Sequence, residues 1–195
     1  MDAAGTRARL IEAAIELFGR HSFAGTSLQM IADELGFTKA AIYYHFRTRE
    51  QLLTGVVEPI FRQLETVVEH AESLRGVSAR ADAMLCGYAE MAVRHRALVS
   101  VLGGDPSVIR QLSTQPGWAE LIERQMSLLA DVEPGPGGLV KAAVAVGGIA
   151  GAVGPAWITI DDDDLLGHLV ETGRRTLGLR APRRSPATDF MKGTK

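Results

Sequence analysis

An all-α fold is the prediction for this chain, and three features of the sequence carry it. Apolar residues recur at three- and four-residue spacing along most of its length. Hydroxyl caps and Gly/Pro breaks fall where those runs begin and end. No stretch sustains the two-residue alternation of a half-buried strand, and no repeat is present. The result is about nine helices: a helix-turn-helix unit over 1–50, a second helical unit over 51–179, and a polar, basic tail over 180–195 expected to be disordered.

The first helix is placed at 6–20, with Leu10, Ala14, Leu17 and Phe18 along one face. Phe23-Ala24-Gly25 then makes a turn. A second helix starts after Thr26, where Thr26 and Gln29 fit a capping box, and ends at Gly36. A third, short helix follows Thr38, and a fourth follows Thr48, again with a capping box at Thr48 and Gln51. The fourth runs past Leu64, and Pro59 is expected to kink or divide it. Beyond it helices are placed at 78–102, 105–113, 117–131, 138–158 and 162–178. Gly103-Gly104, Pro116-Gly117 and the run from Pro134 to Gly138 separate them.

With 195 residues, 46% of them hydrophobic and 23% charged, the chain can bury a real core. A net charge of -2 gives no global sign of nucleic-acid binding. Charge position says more. Between Leu35 and Arg49 there is no Asp or Glu, whereas Lys39, His45, Arg47 and Arg49 fall there. A local cationic patch suffices for phosphate contact. The single cysteine, Cys86, rules out an intrachain disulfide and a multi-cysteine zinc site, and is read as a buried thiol. The first 18 residues carry acids within their apolar periodicity, so they do not read as a signal peptide, and a cytoplasmic location is expected. The uncharged stretch 142–158 is rich in Ala and Gly and interrupted by Pro155; it reads as a buried interface helix and not a membrane span.

The informative segment is 26–53. A DNA reader needs two helices crossing steeply over a small core, a tight turn between them, and a short second helix with small and polar residues outward. Ile31, Ala32, Leu35, Phe37, Ile42 and Phe46 supply the core, and Gly36 the turn. The outward face of the third helix then holds Lys39, Ala40, Tyr43 and Tyr44. Lys39 can donate to guanine O6/N7 or to a phosphate, and Ala40 and Ala41 allow close entry and can touch a thymine methyl. Tyrosine hydroxyls commonly donate to phosphate oxygens. Two capped helix starts, at Thr26-Ser27 and Thr48-Arg49, bracket that helix as phosphate clamps, although capping alone accounts for each Thr.

These residues resemble the DNA-binding domain of the tetracycline-repressor (TetR) family of bacterial regulators. The likeness runs through Thr26, Ser27, Ile31, Ala32, Gly36, Lys39, Tyr43, His45, Phe46, Arg49 and Glu50, with Thr38 and Thr48 where the family usually has Ser. Phe37 replaces the usual Val, and Ala40 a common Gly. The resemblance implies a nine-helix subunit that dimerises through its last two helices and binds a palindromic operator in double-stranded DNA. A small-molecule effector in the second unit would weaken that binding. It also implies groove-facing roles for Lys39, Ala40, Ala41, Tyr43 and Tyr44, and phosphate or flanking contacts for Ser27, Gln29, His45 and Arg49, with Thr38 as a cap beside them.

In the second unit, Val140, Val144, Gly147, Gly151 and Gly154 recur along 138–158. Glycine costs a helix about 1 kcal/mol relative to Ala, so several together call for close approach to a partner helix. Together with Leu166 and Leu169 of 162–178 they form the expected dimer interface, against the alternative of intrachain packing. Asp161 to Asp164 read as caps of the last helix and not as a metal site, and no metal or other cofactor is expected. Met84, Tyr88, Met91 and His95 recur at steps of four, three and four; with Phe61, Leu64, Trp118 and Ile122 they are the candidate effector lining, with plain core as the competing role. Two other functions stay open: a DNA-binding activator or architectural protein without an effector, and a helical enzyme, for which no nucleophile, metal or phosphate-loop motif speaks.

Overall fold

The computed structural model describes residues 3–155 and 158–180. Ten helices and no strand run through these described residues. The N-terminal unit holds α1 (Ala3–Gly25), α2 (Leu28–Glu34) and α3 (Lys39–His45). α4 (Arg49–Ser73) leads out of it into α5 (Val77–Arg94), α6 (Arg96–Gly104), α7 (Pro106–Leu112), α8 (Trp118–Ala130), α9 (Pro136–Ala152) and α10 (Asp162–Leu177). No described helix is long and apolar enough to cross a membrane.

Local chemistry explains the ends of the helix-turn-helix. Thr38 caps α3 by accepting from the Ala41 N–H, and Thr48 caps α4 by accepting from the Gln51 N–H. At the end of α2, Gly36 takes φ +65°, which lets its N–H reach Asp33 O at 3.1 Å and the Phe37 N–H reach Ala32 O at 2.8 Å. Those two bonds satisfy carbonyls that the helix leaves open. Beneath them Leu10, Ala14, Ile31, Ala32 and Ile42 are fully buried, joined by Phe18, Phe23 and Phe46.

In the second unit α5 is central, packed on α4, α8, α9 and α10, while α9 lies between α8 and α10. The bidentate pair from Arg174 Nε and Nη2 to the Asp82 carboxylate, at 2.6 and 2.9 Å, ties α10 to α5. α6 and α7 lie against α1, and so join the two units.

Five expectations need correction. α1 extends beyond 6–20 to Gly25, across a single non-helical residue, Ser22. The cap of α2 is Ser27, which accepts from the Met30 N–H, and not Thr26. Pro59 does not divide α4, because the proline removes one N–H while the flanking buried residues Val56, Val57, Ile60 and Leu64 hold the helix in register. The stretch 78–102 is two helices, broken at His95 (φ −113°, ψ 32°), whose ring bonds Gln63 of α4. The stretch 138–158 stops as a helix at Ala152, three residues before Pro155. The tail expected at 180–195 lies outside the described residues, apart from Arg180.

Candidate nucleic-acid interface

α3 is seven residues long and is pinned from below by Ile42, which is fully buried. Its other side is open. Lys39, Ala40, Tyr43 and Tyr44 are exposed, with Tyr44 at 81% and Tyr43 at 43%, while Ala41 and His45 are half-buried. The Lys39 ammonium sits 5.6 Å from the centre of the Tyr43 ring, as residues four apart on a helix can. Tyr44 meets the His45 ring edge to face at 5.1 Å. One short helix therefore presents a cation, two phenols and a methyl on a single solvent-facing patch.

The flanking residues divide. Ser27, Thr38 and Thr48 are exposed and act as caps. Gln51 completes the Thr48 end by accepting from the Arg47 N–H at 2.9 Å. Gln29 is exposed but donates to Asp33 at 2.7 Å. Thr26 is only 1% exposed, and its hydroxyl is held by Ser22 O at 2.8 Å and Leu17 O at 3.2 Å. That hydroxyl braces the turn from inside and leaves the candidate phosphate set. Arg49 also braces the turn, although 37% of its side chain stays exposed. Its Nη1 donates to Ala24 O at 2.8 Å, Phe23 O at 3.3 Å and Thr26 O at 3.4 Å, and its guanidinium lies 5.1 Å from the Phe23 ring. Arg47 is exposed, like Lys39 in the same window, and no hydrogen bond or ion pair is seen from its side chain among the described residues. Sequence reasoning placed it in the cationic window without assigning it a contact.

The eight candidate effector residues lie on α4, α5 and α8, with His95 at the end of α5. Leu64, Met84, Tyr88 and Met91 are buried, and burial pushes the Tyr88 phenol up to about 12. Phe61 and Trp118 stack with ring centres 6.0 Å apart, Ile122 is half-buried beside them, and the His95 ring lies 2.9 Å from Gln63 Oε1. Burial, with Arg94 nearby, holds the His95 pKa below its usual value. Sequence reasoning missed Gln125, one turn beyond Ile122: it is 1% exposed and its Nε2 finds no partner among the described residues.

The α9–α10 face is open. Val140 and Val144 are 62% and 57% exposed, and a Cβ built on Gly147 or Gly151 would meet nothing within 4 Å. An apolar groove of about 340 Å³ runs beside them, lined by Val144, Gly148, Ile160, His168 and Leu169 among others. Leu169 is buried at its floor and Leu166 is half-buried on the neighbouring turn. Gly154 differs: a Cβ there would fall 2.6 Å from Ser100 Cβ, so α6 of the same chain supplies its reason to be glycine. It leaves the candidate dimer set on that ground. Asp161 caps α10 by accepting from the Asp164 N–H at 2.9 Å.

Comparison with known proteins places these features. Residues 10–56 match the profile described as bacterial regulatory proteins, tetR family. The chain is 44% identical over 50 residues to an uncharacterized HTH-type transcriptional regulator, YerO, of Bacillus subtilis, across 26% of this chain and 17% of that one. It is 39% identical over 71 residues to a probable acrEF/envCD operon repressor of Escherichia coli, across 35% of this chain and 31% of the relative. The chain thus spans under a third of the length of either relative in these matches. Over the whole fold it is similar to a tetR-family regulatory protein of Rhodococcus RHA1, with a TM-score of 0.67 and 19% identity, covering 90% of this chain and 98% of that one.

Proposed function

We infer that this chain, whose residues 10–56 match the tetR family of bacterial regulatory proteins, is a sequence-specific DNA-binding transcriptional regulator that inserts α3 into the major groove. The observation that carries this reading is the outward patch of Lys39, Ala40, Tyr43 and Tyr44 on a helix anchored by buried Ile42. Lys39 is positioned to read guanine, the alanines to admit the backbone, and the tyrosines to reach bases or phosphates. Ser27, Gln29, Thr38, His45, Arg47, Thr48 and Arg49 flank the groove and position the helix.

In this reading the protein acts in the cytoplasm as a repressor and catalyses no reaction. The named role of the Escherichia coli relative supports repression. It works as a homodimer through α9 and α10, on a palindromic site whose half-sites lie about 34–36 Å apart. The exposed valines and open glycines of α9 support that, since such a surface is completed by a second copy. A small, largely apolar effector enters among α4, α5 and α8 and favours a dimer that no longer matches the operator. The unpaired Gln125 amide supports an effector with a hydrogen-bond acceptor. The full burial of Leu64, Met84 and Met91 favours a second reading, a regulator with no effector.

The test is the double substitution Lys39→Ala with Tyr43→Ala, on a duplex that the wild type selects from a random-sequence pool. Affinity is expected to fall by about tenfold or more, and the salt dependence to flatten. Unchanged affinity with unchanged salt dependence overturns the assignment.

A further inference from the structure

The turn between α1 and α2 is held from both sides by residues of different origin. Ser22 sits at φ 62°, ψ 164°, a conformation natural to glycine and strained for serine. Such a residue persists only where its surroundings enforce it. Here they do. Thr26 Oγ1 closes on Ser22 O, and Ser22 Oγ accepts from the Gly25 N–H at 3.2 Å. The next residue, Phe23, then offers one N–H and one carbonyl. The carbonyl accepts from the Thr26 N–H within the turn and, also at 3.3 Å, from Arg49 at the start of α4. The N–H donates at 2.7 Å to Oδ2 of Asp105, which lies 82 residues further along the chain at the start of α7.

Asp105 divides its two oxygens. Oδ1 caps α7, accepting from Ser107 N–H at 2.9 Å and from Ser107 Oγ at 2.6 Å. Oδ2 accepts from the Phe23 N–H. A cap needs only one oxygen. The second oxygen reaches out of its own unit and grips the segment from which α2 springs.

We propose that Asp105 is a positioning residue for DNA binding: through the Phe23 N–H, the α6–α7 segment of the second unit sets where the helix-turn-helix stands. This rests on the DNA-binding reading above and names how that site is controlled. A shift of α6 or α7 pulls on the amide at the end of α1, and Arg49, bonded to the same residue's carbonyl, passes the shift to the start of α4. The contact is a short, charge-assisted hydrogen bond in a half-buried setting.

The test is Asp105→Asn in the full chain. Asn caps a helix as well as Asp, but its single oxygen serves Ser107 or Phe23 and not both. Three readouts are expected in the variant. The Phe23 amide proton moves upfield in a nitrogen-15 correlation spectrum. Hydrogen exchange across 26–46 speeds by about tenfold while α8 and α10 keep wild-type rates, and the selected duplex binds about tenfold more weakly. Ser107→Ala, which touches only the capping oxygen, is expected to leave all three unchanged. The proposal is overturned if Asp105→Asn leaves the Phe23 signal and the exchange pattern as in the wild type. It is also overturned if exchange speeds throughout the chain, or if Ser107→Ala reproduces the effect. Should the wild type select no duplex, the DNA-binding reading falls, and the spectrum and exchange pattern alone decide for or against the link.

Discussion

The helix-turn-helix and the α9–α10 pair solve the same packing problem in opposite ways. In the first, each turn is closed by a named local group: Ser27, Thr38 and Thr48 cap, Gly36 turns, and Ile31 and Ile42 fill the space beneath. Its open side is polar and aromatic, chemistry that is stable in water. In the second, α9 starts at Gly135 with no side-chain cap, and presents Val140, Val144, Gly147 and Gly151 outward. The first unit buries its apolar residues within one chain; the α9 face leaves two valines exposed. The difference teaches where to test each proposed role: the polar, aromatic surface of α3 for the proposed contact with DNA, and the apolar surface of α9 for the proposed contact with a second copy.

The largest expected effect tests the self-sufficiency of the first unit. Ile42→Ala removes a fully buried side chain from beneath α3 and is expected to destabilise by about 2–5 kcal/mol, seen in urea unfolding. A loss below about 1 kcal/mol would mean that α3 is not held from below. A smaller effect separates two glycines three residues apart. Gly154→Ala puts a Cβ against Ser100 of the same chain and is expected to cost about 1–3 kcal/mol whatever the oligomeric state. At Gly151 an added Cβ meets nothing within 4 Å, which leaves open space for Gly151→Leu to begin in. The substitution is expected to leave monomer stability within about 1 kcal/mol while weakening the dimer tenfold or more in sedimentation. A Gly151→Leu protein that dimerises as the wild type does would remove α9 from the proposed interface.

What was legible in the sequence follows the range of the interaction. Thr38, Thr48 and Gly36 act on atoms within five residues, so spacing alone located them. Spacing put the cap of α2 at Thr26, and the structure puts it at Ser27. The choice between them was settled by Leu17 O and Ser22 O, which the fold brings to the Thr26 hydroxyl. Arg49 read as a free cation because the three carbonyls that bind it belong to a turn 23 to 26 residues earlier. The break at His95 carries no Gly or Pro signal, and its bond to Gln63 exists only once α4 and α5 pack. Asp105 caps α7 through Ser107, two residues on. Nothing in its neighbourhood pointed to Phe23.

The smallest expected effect concerns acid. Burial pushes the Asp105 carboxyl up, but the bonds from Ser107, from the Phe23 N–H and from the Val108 N–H together hold it below its ordinary value. A lowered native pKa means that the unfolded chain binds the proton more readily. The stability contributed by this carboxylate is then fully present above the unfolded value of about 4 and is lost as pH falls through the native one. Glu72, held low by Arg124, titrates in the same direction, but equally in the wild type and in Asp105→Asn. The difference in unfolding free energy between those two proteins is therefore expected to be constant from neutral pH down to about 5 and to shrink below about 4. A difference that stayed constant to pH 3 would mean that the uncharged acid serves Ser107 and Phe23 as well as the carboxylate does. The link to the first unit would then depend on the shape of the side chain and not on its charge.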